Sequence, residues 1–244
     1  MNILYEDNHL IAVEKEAGML TQGDYSGDTS LMDLVKCHIK EKYGKQGQVY
    51  LGMLHRLDRP VSGIVLFART SKAASRMSRQ FRDGTIGKFY LALISGKPAA
   101  SAGWTRLDQY LVRGRGHSVA ADQPRPGAQK VSLRYTVLAG REGVSLVLVR
   151  LLTGKKHQIR AQFASQGMPI AGDADYGSPI SCPGEGIMLH ACALSFVHPT
   201  KNENVLIACP VPEHFSGMWR FDDDTGRAIM ESVKAGLDRP ENNI

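Results

Sequence analysis

Residues 131–152 constrain this chain more than any other stretch. In VSLRYTVL, at 131–138, Val131, Leu133, Tyr135 and Val137 fall on one face, and Ser132, Arg134 and Thr136 on the other. A turn between Gly140 and Gly143 then leads into SLVLVRLL at 145–152. A period of two, a Gly-bounded turn and a second apolar run predict an antiparallel hairpin. A chain organised around such a hairpin needs a sheet with a covered face, and the remaining elements must supply the cover.

The other elements fit that demand. Residues 3–13, ILYEDNHLIAV, predict two short strands around a turn at Asp7-Asn8. Thr29 or Ser30 can cap a helix reaching about Tyr43, with Leu31, Leu34 and Val35 on one face. GIVLFAR, at 63–69, is an apolar run of strand length and predicts a buried strand. Residues 71–82 predict a helix, 89–94 a strand, 156–166 a short helix, and 187–209 two more strand-like pieces. After Phe221 comes an acidic cap, Asp222 to Asp224, then a helix to about Leu237 that reads as a loosely attached tail. Strands and helices interleave without regular βαβ alternation. The expected class is therefore α+β, a mixed, mostly antiparallel sheet with flanking helices. The expected division is one domain over 1–221 and a C-terminal helix or tail over 222–244.

Composition narrows the function classes. Hydrophobic residues make up 43% of the 244 and charged residues 22%, which suits a folded chain rather than a disordered one. The net charge of +6 favours a polyanionic partner. No Gly-rich phosphate loop or dinucleotide fingerprint occurs. The four cysteines, Cys37, Cys182, Cys192 and Cys209, form no C-x-x-C pair. Cys182, His190 and Cys192 come nearest to a metal cluster, but their spacing matches no common site and isolated buried thiols are the simpler account. A chain of this length folds without disulfides, so a reducing compartment, the cytoplasm, is expected. The first residues, MNILYEDNHLIAVEKEAG, carry acids inside the apolar stretch and do not read as a signal peptide. No run of 18 or more apolar residues exists to span a membrane.

Three segments carry candidate chemistry. HRLDRPVSG, at 55–63, sets Asp58 between Arg56 and Arg59, before Pro60 and Gly63, in a shaped loop ahead of the buried strand. A carboxylate near guanidinium groups stays ionised and can act as nucleophile or base. On local chemistry alone, a surface salt bridge explains the same residues more simply. TGKKHQIRAQF, at 153–163, crowds Lys155, Lys156 and His157 at a helix start, where the helix dipole is already positive. That is a candidate phosphate or carboxylate site, or else plain surface exposure. Ile159 and Phe163 face the core, and Arg160 lies near His157 on the helix surface, able to reach a carboxylate from another segment. In SKAASRMSRQFR, at 71–82, Lys72, Arg76 and Arg79 share one face, and Ala74, Met77 and Phe81 share the opposite one. Such a stripe tracks phosphates or is a solvated face. Lys88 and Tyr90 open the next strand, where an aromatic beside basic residues suits base stacking and also suits a core position.

Taken in order, these segments resemble the RluA-type pseudouridine synthases. HRLDRPVSG is similar to that family's HRLD-x-x-[TS]SG loop, KFYLALISG at 88–96 to its K-x-Y-x-A strand, and LLTGKKHQIR to its L-x-TGR-x-HQIR helix start. PIAGDADYGS at 169–178 and LHACALSFVHP at 189–199 resemble two downstream landmarks, and ILYEDNHLIAVEKEAG resembles the first hairpin. The likeness covers about residues 1–200. It departs at Val61, where Thr is frequent, at Glu16, which replaces the Pro of a K-P-x-G turn, and at Lys155-Lys156 and Ala161-Gln162-Phe163.

The resemblance implies a pseudouridine synthase fold crossed by a central RNA-binding cleft, and isomerisation of uridine in structured RNA, ribosomal or transfer. It implies Asp58 as the catalytic aspartate, Tyr90 packing on the flipped base, Arg160 as the basic residue paired with the aspartate, and Leu189 in the apolar pocket wall. His55, Arg56, Lys156, His157, Arg76 and Arg79 are the further expected contacts to substrate. No cofactor and no metal are expected, and the expected partner is RNA, bound by a monomer, with no DNA and no membrane. A non-catalytic RNA-binding or ribosome-assembly protein using the same cleft is the alternative. A Ser/His/Asp hydrolase is disfavoured, since no G-x-S-x-G turn occurs.

Overall fold

The turn expected at Asp7-Asn8 is made by the aspartate itself. In the computed structural model, the Asp7 carboxylate accepts the main-chain N–H groups of His9 and Leu10, each at 2.8 Å. That short-range bonding is what makes Asp a turn former. The chain reverses there between β1 (Ile3–Glu6) and β2 (Leu10–Lys15), which pair antiparallel. The structure describes residues 1–98, 103–114, 116–182 and 184–237, and they form two compact units.

The first unit comprises Met1–Ile86 and Ala191–Pro210. Ser30, not Thr29, caps α1 (Leu31–Lys42), through a reciprocal capping box with Asp33. β2 pairs antiparallel with β4 (Ser62–Ala68), and the short β3 (Gly52–Met53) adds to the end of β4. Every residue of β4 is buried, as its unbroken apolar run predicts. Helix α2 (Ser71–Arg82) starts at the Thr70 cap and ends where expected. Its buried side chains are Ala73 and Met77, while Ala74 and Phe81 are only partly covered, so the apolar face is rotated slightly from the predicted one. These side chains close a core with Leu10, Ala12, Ile64, Leu66, Leu194, Phe196 and Ile207. The last two lie on the antiparallel pair β10 (Leu189–Val197) and β11 (Asn204–Ala208).

The second unit runs from Gly87 to His190 and from Val211 onward. Its strands lie in the order β5 (Gly87–Ser95), β9 (Val144–Leu151), β8 (Gln129–Arg141), β6 (Thr105–Arg113), β7 (Ser118–Ala121), each antiparallel to its neighbour. The predicted hairpin is β8–β9, turned at Glu142 (φ 48°) and Gly143 (φ 74°). Two successive positive φ values are what a tight hairpin turn between twisted strands requires. One expectation fails in β8. Val131, Leu133 and Tyr135 are buried, but Val137 is 40% exposed. Val137 keeps its in-register pairing with Val147, but it lies where β8 runs out to solvent, just before a bulge that shifts the register between Val137 and Ala139.

Helix α3 spans Gln158–Ser165, starting two residues later than predicted because His157 has a left-handed backbone (φ 56°). Lys155 and Lys156 therefore precede the helix instead of crowding its first turn. The C-terminal helix α4 (Asp223–Leu237) is not loose. It buries Ile229, Val233 and Gly236, and the Arg150 guanidinium donates to the Gly236 carbonyl. Arg141 also holds this end of the unit, lying 4.9 Å over the Trp219 ring and donating to the Met218 carbonyl at 2.8 Å. The part of the expected tail at 238–244 falls outside the described residues. The class is the α+β arrangement expected, with a mixed, mostly antiparallel sheet. No helix among the described residues is long and apolar enough to cross a membrane.

Candidate active site

The candidate residues fall in both units. Asp58, His55, Arg56, Arg76 and Arg79 belong to the first unit, and Tyr90, Lys156, His157, Arg160 and Leu189 to the second.

In the first unit, Asp58 is half-buried in an irregular segment between β3 and β4. The Val61 N–H donates to its carbonyl at 3.0 Å, closing a turn through Arg59 and Pro60. Gly63 (φ 118°) follows. A Cβ there would lie 2.7 Å from the Ala191 Cα, so only glycine lets β4 pass this close to β10. Upstream, His55 Nε2 accepts the Leu66 N–H at 3.0 Å, which places the ring proton on Nδ1, and its ring lies 5.1 Å from Phe81. Arg56 is exposed. Arg59 turns to Asp28 at 3.0 Å and to the Gly18 carbonyl at 2.9 Å. Beneath the loop sits Lys15, fully buried. Its ammonium donates to the carbonyls of Glu16, Met19 and Arg59 at 2.9, 2.8 and 3.0 Å. Burial pushes the Lys15 pKa down to about 8; the Asp58 charge opposes that shift and the Arg59 charge adds to it.

On α2, Arg79 and Lys72 are exposed, whereas Arg76 donates to the Pro199 carbonyl and Gln80 pairs with both main-chain groups of Val197, at 2.7 and 3.0 Å. The basic stripe is thus partly a fastening of α2 onto the end of β10.

In the second unit, Arg160 is not on the helix surface. Its side chain is 3% exposed. Nε and Nη2 donate to the two Asp173 oxygens, each at 2.7 Å, and Nη2 also reaches Asp175 at 3.0 Å. Two parallel charge-assisted bonds fix the plane of the guanidinium. The Tyr176 ring stacks under it, 4.9 Å from Cζ. The Tyr176 hydroxyl donates to the Ser118 carbonyl at 2.9 Å, accepts the Ser118 N–H at 3.0 Å, and lies 3.2 Å from His157 Nδ1. Left-handed backbone costs roughly 1–2 kcal/mol in a residue other than glycine, and this pairing helps hold His157 there.

Gln158 fastens the same turn from inside. Its Oε1 accepts the Thr153 hydroxyl at 2.9 Å and the Lys155 N–H at 3.2 Å, and its Nε2 donates to the Ser132 carbonyl at 3.1 Å. Lys156 is exposed and donates to the Gly116 carbonyl at 3.2 Å. Lys88 and Tyr90 are half-buried on one face of β5, while Phe89 and Leu91 on the other are fully buried. Leu189 is buried at the start of β10.

Sequence reasoning assigned no role to Asp173, Tyr176, Lys15 or Thr21. A signal existed for the first two: a buried arginine demands a carboxylate, and the Gly-bounded segment GDADYG supplies two. Among the described residues, no group of three or more His, Cys, Asp or Glu side chains could hold a metal ion.

Residues 9–165 match the family model described as RNA pseudouridylate synthase. An uncharacterized RNA pseudouridine synthase of Aquifex aeolicus is 32% identical over 235 residues, covering 91% of this chain and 72% of the relative. Ribosomal large subunit pseudouridine synthase D of Zymomonas mobilis is 30% identical over 235 residues, with the same two coverages, 91% and 72%. Two solved human structures, RNA Pseudouridylate Synthase Domain Containing 4 and Domain Containing 1, superpose with TM-scores of 0.73 and 0.74 at 22% and 23% identity. They cover 94% and 99% of this chain, and 93% and 96% of their own length is matched. At that identity the likeness speaks to the fold.

Proposed function

The chain belongs to the RNA pseudouridylate synthase family, isomerases acting on RNA, and from that premise we propose that Asp58 starts the isomerisation of uridine in structured ribosomal RNA. The observation that carries the assignment is the construction of the loop. Asp58 stands half-buried in a turn closed by its own carbonyl, with Gly63 wedged against β10 just beyond it. A reacting group needs such a fixed support.

RNA is held through its phosphates by exposed basic side chains, Lys72, Arg79, Lys156 and Arg56 among them. The target uridine leaves its stack, at a cost of a few kcal/mol. The Tyr90 ring stacks on the freed base, offsetting about 1–3 kcal/mol. Asp58 then initiates cleavage between C1′ of the sugar and N1 of the ring. The uracil turns, C5 bonds to C1′, C5 gives up its proton and N1 gains one. Atoms and charge balance, so the reaction consumes no co-substrate. Arg160, held rigid by Asp173, is assigned the basic role that the family resemblance gives it, and Leu189 is assigned to the apolar wall that keeps the detached base from water. We assign the protein to the cytoplasm, as a monomer acting on RNA and not DNA.

Relatives named for the ribosomal large subunit favour ribosomal over transfer RNA as the substrate. The test is a nucleotide-resolution pseudouridine map of both RNAs, from cells with the gene, without it, and with Asp58→Asn. One or a few ribosomal uridines are expected to lose modification without the gene and in the Asn strain alike. Loss confined to transfer RNA overturns the substrate assignment, and an unchanged map overturns the role of Asp58.

A further inference from the structure

The backbone on both sides of Asp58 is held in part by the chain 37 to 43 residues earlier. Thr21 is 4% exposed, in the segment that follows β2. Its hydroxyl donates to the Leu57 carbonyl at 2.9 Å and accepts the Leu57 N–H at 3.2 Å. Both peptide planes around Leu57, the residue before Asp58, are therefore set by one side chain. On the other flank, the Arg59 carbonyl accepts from Lys15 Nζ at 3.0 Å and from the Gly18 N–H at 2.9 Å. Leu57 and Asp58 lie in no strand or helix, so no ladder of main-chain bonds fixes them. A buried peptide group needs a partner, and without Thr21 the backbone at Leu57 would rotate to find others.

From this geometry we propose that Thr21 is a positioning residue: its hydroxyl fixes the peptide that leads into Asp58 and so aims the carboxylate. This rests on the assignment of Asp58 above. Threonine suits the task because a hydroxyl both donates and accepts, and its branched Cβ limits the rotamers that could release either bond. Valine has nearly the same shape and makes neither bond. Serine keeps both.

The experiment compares the parent, Thr21→Val, Thr21→Ser and Asp58→Asn in the full chain, with turnover and KM measured on bulk RNA labelled at carbon 5 of uridine. Misplacing a reacting group by about 1 Å costs on the order of 100-fold. Thr21→Val is therefore expected to lower kcat by about 10- to 100-fold, while KM for RNA, which is set by phosphate contacts, stays within about twofold. Thr21→Ser is expected to restore most of the turnover. Hydrogen exchange at the Leu57 amide should be slow in the parent and the serine variant and fast in the valine variant.

A purely structural role would lower the melting temperature and leave kcat of the folded fraction at the parental value, which overturns the inference. Should the valine chain fail to fold, Thr21→Cys, a poorer hydrogen-bonding partner, takes its place. Parental kcat in the cysteine variant also overturns the inference. An inactive Asp58→Asn beside a fully active Thr21→Val sinks the positioning role alone. A fully active Asp58→Asn sinks the assignment on which it rests.

Discussion

The two units support their key side chains in opposite ways. In the second unit Arg160 is buried and held by charge, with Asp173 on two of its nitrogens and the Tyr176 ring under its plane. In the first unit the backbone at Asp58 is held mostly by neutral groups: the Thr21 hydroxyl, main-chain carbonyls, and a glycine that admits β10. The Lys15 ammonium beneath it bonds to carbonyls. The difference follows from what each residue must do. A buried guanidinium needs a carboxylate to offset desolvation. The role proposed for Asp58 needs a rigid backbone.

This contrast can be broken on the charged side first. Asp173→Asn keeps the shape and leaves a buried cation short of its partner, a loss of about 3 kcal/mol. At roughly 2–4 °C per kcal/mol for a chain of this size, the melting temperature should fall by about 10 °C. Turnover of the folded fraction should fall on the order of 100-fold as the guanidinium loses its fixed plane. An unchanged melting curve with parental turnover would mean that Asp175 and Tyr176 suffice to hold Arg160.

A smaller effect tests the neutral side. The first unit does use charge, but where β1 meets α1. Glu6 there bonds Lys42 at 2.7 Å, Tyr43 at 2.8 Å, and His38 and Arg69 at 3.2 Å. Burial raises its pKa, and the bonds from Lys42, Tyr43 and His38 outweigh burial, lowering it from 4.5 to about 2. A folded value below the unfolded one stabilises the fold above pH about 4.5, and that contribution is lost as pH falls from there toward 2. Hydrogen exchange should show α1 losing protection across that range while the Leu57 amide, which depends on no carboxylate, holds longer. Glu6→Gln should cost about 2 kcal/mol at pH 7 and flatten the acid response of α1. Equal loss at both places would make the loop dependent on the Glu6 network.

Much of the fold was legible because apolar periodicity dictates it. The β8–β9 hairpin, the buried β4, the Asp7 turn and both ends of α2 follow from pattern and caps. Strands β6 and β7 did not show because their inward face is mixed. Gln109 of β6 is 2% exposed and satisfied by Asp122 and Ser165, so a polar residue occupies a core position and breaks the alternation. The late start of α3 was hidden because nothing but a histidine marks the left-handed residue.

At the candidate site, motif order singled out Asp58, Tyr90 and Arg160 as expectations, but what holds the Asp58 backbone and Arg160 was not legible. Asp173 lies 13 residues beyond Arg160, and Thr21 lies 36 before Leu57. Bonds made by side chains across such separations leave no period in the sequence.

The most direct measurement is tritium release from RNA labelled at carbon 5 of uridine, by the purified parent and by Asp58→Asn, with RNA binding measured in parallel. The parent should release tritium. The asparagine variant, isosteric and uncharged, should be slower by about 10²- to 10⁴-fold while binding RNA within a few-fold of the parent. Release at the parental rate by Asp58→Asn would contradict the account.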